Sequence, residues 1–340
     1  MIEEQTLTHH WPVYGHDWAV HHLRKSMANR RVRHGYLIIG PESVGKETLA
    51  RAFAMALNCQ DPDGEKHPCG VCRSCALILS GNHPDLIYSE TDPNTGVLKI
   101  EELRSVMNRL ALKPFEGRFR IAILRDFDHA QPRAQDALLK TLEEPPPQAL
   151  LILLSQSLEA LLPTITSRAQ RLHLRSVPAT VIRDVLIEHY GAEPEQATLL
   201  ARLSGGRLGW AISALQDPTR LEQRSQALDL LEACLEQNRN ARFKLAEELA
   251  RDKQTLGAVL ELWQTYWRDL VLLCEGSRLA PANYDRADRL ERLAGRLQPD
   301  EALAALRATS DLLKSLSLNI NARLALEVMF LDYPGLPGRS

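Results

Sequence analysis

Residues 40–48 read Gly-Pro-Glu-Ser-Val-Gly-Lys-Glu-Thr, and no other stretch restricts the possible folds so tightly. In a GxxxxGK[ST] loop the first glycine makes a tight turn and the second lets backbone N–H groups cradle phosphate oxygens. The lysine then reaches the β- and γ-phosphates. Such a loop joins a buried strand to a helix, so it dictates a layered α/β domain around itself. Gly40, Gly45 and Lys46 satisfy the pattern. The hydroxyl that should follow the lysine and ligate magnesium is replaced by Glu47, and Thr48 stands one place too late. A plain Gly-rich turn is the simpler alternative.

The other half of such a site is an acidic residue at the end of a buried strand. Phe119–Leu124 (FRIAIL) is the obvious strand, and it runs into Arg125-Asp126-Phe127-Asp128. Magnesium is held by oxygen ligands, usually one or two carboxylates plus substrate phosphates, yet Arg125 occupies the first place past the strand. A guanidinium about 5 Å from a divalent ion is repelled by roughly 6–7 kcal/mol at an effective dielectric of about 20. Either Arg125 swings away or the metal stays out. Asp126 stands where a water-activating Glu would sit. The expectation is a P-loop-derived structure that does not hydrolyse ATP, with Mg²⁺ absent and ATP binding doubtful.

With 340 residues, 44% of them hydrophobic, the chain has material for two or three domains with real cores. The net charge of −2 argues against nucleic acid or an anionic membrane as the main partner, so any DNA contact must be local. Met1–Gln5 is acidic and polar, unlike a signal peptide, and no apolar run approaches the roughly 18–20 residues needed to span a bilayer. A cytoplasmic, reducing compartment is expected.

Cysteine usage agrees with that compartment, because four of the six cysteines fall within the seventeen residues 59–75. Cys59, Cys69, Cys72 and Cys75 form Cx9CxxCxxC, and four soft thiolates in one short loop suit tetrahedral zinc. Sulfur at all four positions leaves no place for water, so such a metal is structural. Lys66, His67 and Arg73 lie close enough in sequence to offset the thiolate charge. Free thiols or disulfides are the alternative, and His67 or His83 replacing a cysteine is a further one. Cys234 and Cys274 read as core thiols in helical segments.

Short apolar runs at Tyr36–Ile39, Leu86–Tyr88, Phe119–Leu124, Leu150–Leu154 and Arg171–Leu174 alternate with helical patterns near 46–58, 100–112 and 133–144, which predicts a parallel sheet flanked by helices. Pro145-Pro146-Pro147 ends the last of these helices. Beyond about Val177 amphipathic helices take over, with breaks at Gly205-Gly206 and Asp217-Pro218. Trp263, Tyr266 and Trp267 read as packing residues within a period-3.6 run. A basic stretch, Arg24-Lys25 and Arg30-Arg31-Val32-Arg33-His34, has charge enough for phosphate contacts. It lacks the interleaved aromatics of a stacking platform, and a solvated helix face is the simpler reading.

Several of these words resemble one group, the clamp-loader branch of the AAA+ proteins of bacterial DNA polymerase III. Ala137-Leu138-Leu139-Lys140-Thr141-Leu142-Glu143-Glu144-Pro145-Pro146 matches that family's ALLKTLEEPP helix, and Thr166-Ser167-Arg168 matches the start of its Ser-Arg-Cys motif. The cysteine knuckle, His83-Pro84-Asp85 and Asn319-Ile320-Asn321 extend the likeness over nearly the whole chain. Asp136 stands where the family usually has Asn, Ala169 replaces the Cys of Ser-Arg-Cys, and Gly209 falls where active subunits place a nucleotide-sensing Arg. The resemblance implies a RecA-like AAA+ module over 1–176 carrying the zinc knuckle, a helical lid over 177–216, a helical collar over 217–334 and a frayed tail over 335–340. It implies assembly with gamma or tau and delta subunits, and work on the sliding clamp and primer-template DNA through them. It also implies that Arg168 acts in trans as an arginine finger in a neighbour's ATP site. An ordinary surface arginine is the alternative for Arg168. An active gamma- or tau-like ATPase, with Glu47 lending magnesium an oxygen, and a zinc-dependent nucleic-acid module are the alternatives for the chain.

Overall fold

The computed structural model describes residues 11–93, 96–277, 279, 281–316 and 320–336. The acidic start Met1–Gln5, Asn319 and residues 337–340 lie outside them. The chain packs into two compact units. The first holds the residues up to Val185 with Gly206–Trp210, and the second holds Leu186–Gly205 with the residues from Ala211 onward.

The first unit begins with α1 (Asp17–Ala28), β1 (Gly35–Ile39), α2 (Lys46–Asn58) and α3 (Arg73–Leu79). It continues through β2 (Leu86–Tyr88), α4 (Ile100–Leu110), β3 (Arg120–Leu124), α5 (Pro132–Asp136), α6 (Leu139–Glu143) and β4 (Ala149–Ser155). It closes with α7 (Pro163–Thr166), β5 (Gln170–His173) and the start of α8 (Ala179–Tyr190). The five strands pair in the order β2-β3-β4-β1-β5 and every pairing is parallel. Sequence and fold agree here for a simple reason. A parallel strand covered by helices on both faces is apolar at every position, and β1 and β4 are buried along their whole length. Tyr36 packs edge-on against Phe53 with ring centroids 5.1 Å apart. This is the α/β sheet with flanking helices expected of an AAA+ module.

Two helices depart from expectation. The pattern over 100–112 stops at Leu110. The helix expected over 133–144 is two pieces, α5 and α6, because Ala137 and Leu138 donate to the carbonyls of Ala134 and Gln135, three residues back. The break follows Gln135, whose buried side-chain amide donates to the carbonyls of Ala130 and Ala160 and accepts from the N–H of Leu162.

The remaining elements are α9 (Pro194–Leu203), α10 (Leu208–Gln216), α11 (Thr219–Glu236), α12 (Arg239–Leu249), α13 (Lys253–Cys274), α14 (Ala287–Ala294), α15 (Pro299–Ser315) and α16 (Ala322–Asp332). The second unit is all-helical among its described residues. Its core centres on α13, where Leu256, Leu260, Trp263, Tyr266, Trp267 and Leu270 are fully buried. Trp263 Nε1 donates to the Ala227 carbonyl at 2.7 Å, and the Trp267 ring meets Tyr333 edge-on at 5.1 Å. Those aromatics are packing residues, as their spacing suggested. Cys234 is buried there too, and burial pushes its thiol up to about 11. Buried Arg242 donates five hydrogen bonds, all to carbonyls: Cys234 and Leu235 at the end of α11, Phe330 near the end of α16, and Tyr333 and Pro334 just beyond it. The backbone stays anchored as far as Leu336, whose N–H donates to the Leu235 carbonyl at 2.8 Å. Among the described residues no helix is long and apolar enough to cross a membrane.

Candidate functional site: a P-loop, a cysteine knuckle and an exposed arginine

In open parallel sheets ligands bind beyond the carboxyl ends of the strands, and the 40–48 loop lies there, directly after β1. Gly40 has no room for a side chain, since a Cβ would stand 2.6 Å from the Leu174 carbonyl oxygen. Gly45 caps α2 with φ +111°, a conformation that favours glycine. The turn that a phosphate loop needs is therefore intact. Lys46 is folded across it, with Nζ donating to the carbonyls of Gly40 at 2.7 Å and Pro41 at 2.8 Å. Burial pushes the Lys46 ammonium down, and Asp128, Asp126 and Glu42 pull it back up. Thr48 is exposed on the first turn of α2.

Glu47 and Arg125 do not act as separate irregularities. The guanidinium clasps the carboxylate through two bonds, Nε to Oε2 at 3.0 Å and Nη2 to Oε1 at 2.6 Å. Its opposite face is covered by the Tyr88 ring, 4.2 Å from the guanidinium carbon to the ring centroid. Arg125 has not swung away, and both Glu47 oxygens are taken. Asp126 follows in a left-handed conformation, φ +45°, and is exposed. With Ser89, Glu90, Thr91 and Arg125 it lines a cleft of about 300 Å³.

Two further contacts hold the loop from outside, and sequence reasoning missed both. His16, almost wholly buried, donates from Nε2 to the Val44 carbonyl at 2.9 Å. Gly209, in the first turn of α10, donates its N–H to the Ser43 carbonyl at 2.8 Å, and a Cβ there would lie 2.9 Å from that same oxygen. The position read from sequence as a missing arginine is thus one where the backbone itself touches the loop.

The knuckle follows α2 directly. Cys59 ends that helix and Cys72 caps α3, accepting from the Cys75 N–H. The four sulfurs of Cys59, Cys69, Cys72 and Cys75 all lie within 4.8 Å of one another, with Cys59 and Cys72 at 4.0 Å. A tetrahedral zinc with bonds of about 2.3 Å sets its sulfurs about 3.8 Å apart, so the set fits that ion with little adjustment. The N–H groups of Cys69, Cys72 and Cys75 point at cysteine sulfurs from 3.3 to 3.5 Å. Burial raises the Cys59 and Cys75 thiols. At Cys72 the N–H groups of Cys75 and Gln60 more than offset burial and bring the thiol down to about 7. Both histidines are occupied elsewhere: His67 Nε2 donates to the Asp61 carbonyl, while His83 accepts the Asp85 N–H at Nδ1 and meets Ser74 Oγ with Nε2. Lys66 and Arg73 pair with Asp63 and Glu116, both at 3.3 Å.

Asp85 was seen in the sequence only as part of a resemblance, but it is an organising group. Fully buried, it accepts from the N–H groups of Phe115, Glu116 and Gly117 and from Arg120 Nη1, between 2.6 and 3.0 Å. Arg168 lies just after α7 with its side chain 38% exposed. It donates from Nη1 to the Thr164 carbonyl at 2.9 Å, and its Nη2 lies 2.7 Å from Glu143 Oε1. The basic stretch is exposed at Lys25, Arg30, Arg31 and Arg33, and Arg24 reaches the Glu65 carbonyl.

Residues 15–178 match the family model described as "DNA polymerase III, delta subunit". The delta-prime subunit of Bacillus subtilis DNA polymerase III is 25% identical over 312 residues, covering 91% of this chain and 93% of that protein. Over nearly its whole length the chain is therefore delta-prime-like. The delta-prime subunit of Pseudomonas aeruginosa is 32% identical over 206 residues, 60% of this chain and 62% of its relative. The tau subunit of Escherichia coli is 31% identical over 259 residues, 70% of this chain. The chain spans only about two-fifths of that tau subunit's length.

Proposed function

We propose that this chain is a non-hydrolysing, delta-prime-type subunit of the DNA polymerase III clamp loader. It assists ATP-dependent loading of the sliding clamp onto primed DNA and supplies Arg168 to the ATP site of a neighbouring gamma or tau subunit. The observation that carries the first part is the Glu47–Arg125 clasp, which occupies both positions where a working site would present oxygen to magnesium. The pair is about two-fifths exposed, so water screens it. An ion arriving there would meet a neutralised pair in place of free oxygen ligands, because both Glu47 oxygens are bonded to the guanidinium.

The cysteine set supports a structural zinc ion that ties the loop after α2 into a fixed shape. An AAA+ module over 1–176, a lid over 177–216 and a collar over 217–334 complete the proposed layout, with delta and gamma or tau as direct partners and the clamp and primer-template DNA reached through them. The outer face of α16, where Leu324, Val328 and Leu331 are exposed at helical spacing opposite a buried face, supports the collar as an assembling surface. Arg168 is solvent-reachable, its side chain 38% exposed. A guanidinium in trans neutralises charge developing on a transferred phosphoryl group and is worth roughly 10³–10⁵ in rate.

Reconstitution with gamma or tau and delta subunits tests the reading. Arg168→Ala is expected to leave assembly intact and cut clamp- and DNA-stimulated ATP turnover by at least about a hundredfold per affected site, whereas Lys46→Ala changes it by less than about twofold. The opposite pattern, or turnover by the isolated chain that Lys46→Ala abolishes, establishes the gamma-like ATPase instead.

A further inference from the structure

We infer that Glu143 is the positioning residue for Arg168, holding its guanidinium in the orientation in which it meets a neighbour's phosphate. This inference rests on the reading of Arg168 as an arginine finger. Glu143 is the last residue of α6, and its Oε1 lies 2.7 Å from Arg168 Nη2. On the other arm Nη1 donates to the Thr164 carbonyl at 2.9 Å. A guanidinium carries five N–H donors in a rigid fork. With a longer contact from Nη1 to Ser167 Oγ at 3.5 Å, these leave the Nε hydrogen and one on Nη2 for an anion. The tether and a phosphate oxygen can therefore be bound at once, without exchange of one for the other.

A stabilising role explains the contact poorly. Glu143 is 51% exposed and Arg168 38% exposed, and ion pairs so open to water contribute little to folding. What the pair does change is the freedom of a long side chain. An untethered arginine samples many rotamers, and the fraction aimed at a partner falls accordingly. Placing a reacting or stabilising group beforehand raises the rate of the chemical step and leaves ground-state binding of the nucleotide alone. The signature is a fall in kcat at constant KM.

The test uses the reconstituted complex, with steady-state ATP turnover measured for Glu143→Ala, Arg168→Ala and the double variant, and assembly followed by size-exclusion chromatography. Glu143→Ala is expected to lower kcat about tenfold with KM for ATP within about twofold, to leave the complex intact, and to have no further effect when Arg168 is already Ala. Wild-type kcat in Glu143→Ala alongside a crippled Arg168→Ala overturns the positioning role and leaves the finger standing. An equal loss in the Arg168→Ala background, or a complex that falls apart, also overturns it, because Glu143 then acts elsewhere. Full turnover in Arg168→Ala removes the finger itself, and the inference with it.

Discussion

Replacing Asp85 by Asn changes one atom and turns an acceptor into a donor at the most densely bonded carboxylate of the first unit. One oxygen accepts from Phe115 N–H at 2.6 Å and Arg120 Nη1 at 3.0 Å, and the other accepts from Glu116 N–H at 2.9 Å and Gly117 N–H at 2.8 Å. Whichever way the amide turns, its NH₂ faces two N–H donors in a site closed to water, since Asp85 is fully buried. Two orphaned donors at about 1–3 kcal/mol each, together with the lost charge opposite Arg120, give a destabilisation of about 3–5 kcal/mol. Hydrogen exchange over peptides in 111–124, compared with a peptide from the second unit as internal reference, measures this without assuming that the two units unfold together. A loss below about 1 kcal/mol refutes the reasoning. Burial pushes the Asp85 carboxyl up, and the three backbone N–H groups with Arg120 outweigh it, so the group titrates below its ordinary value. A depressed carboxylate stabilises the fold above its unfolded pKa of about 3.9, and that stability is lost as the pH falls through the lower folded value. The difference between wild type and Asp85→Asn is expected to be flat from pH 5 to neutrality and to shrink only below about pH 4.

Two other perturbations have definite outcomes. Verified removal of zinc, or Cys75→Ser, is expected to lower the melting temperature of the first unit by at least about 10 °C, because metal binding to such a site is coupled to folding; equal melting temperatures before and after removal contradict a structural ion. Arg242→Leu removes five hydrogen bonds to carbonyls, of which, among the described residues, only Cys234 and Leu235 have a further donor from the Gln237 and Leu336 N–H groups outside the helices, and is expected to cost the second unit about 3–5 kcal/mol in chemical denaturation followed by hydrogen exchange, whereas a cost under about 1 kcal/mol means that water replaces the guanidinium freely.

The sheet was legible because inner strands β1 and β4, covered on both faces, leave unbroken apolar runs, while edge strand β5 keeps only Leu172 buried. All five were located to within a residue or two at each end, even β2 with its three residues. Lys46–Asn58 matched its helix end to end because Gly45 and Cys59 punctuate it. The α5–α6 break was not legible, since it depends on Gln135 finding carbonyls and an N–H in other segments. The same limit applies at the site. Glu47 and Arg125 each announced a lost ligand, but their clasp joins residues 78 positions apart, and no spacing rule links them. Asp85 and Glu143 were visible only as letters in a resemblance, because their partners come from other elements. Gly209 was read for the side chain it lacks, whereas its backbone N–H makes the contact. The knuckle was the clearest site feature, because its four sulfurs come from one short stretch of chain.

The clasp between Glu47 and Arg125 also makes the two positions interdependent. Restoring a hydroxyl at position 47 alone strands the guanidinium, and restoring an aspartate at position 125 alone sets two carboxylates face to face. Either change alone leaves a charge without the partner it has here, and only the double change presents oxygen at both places.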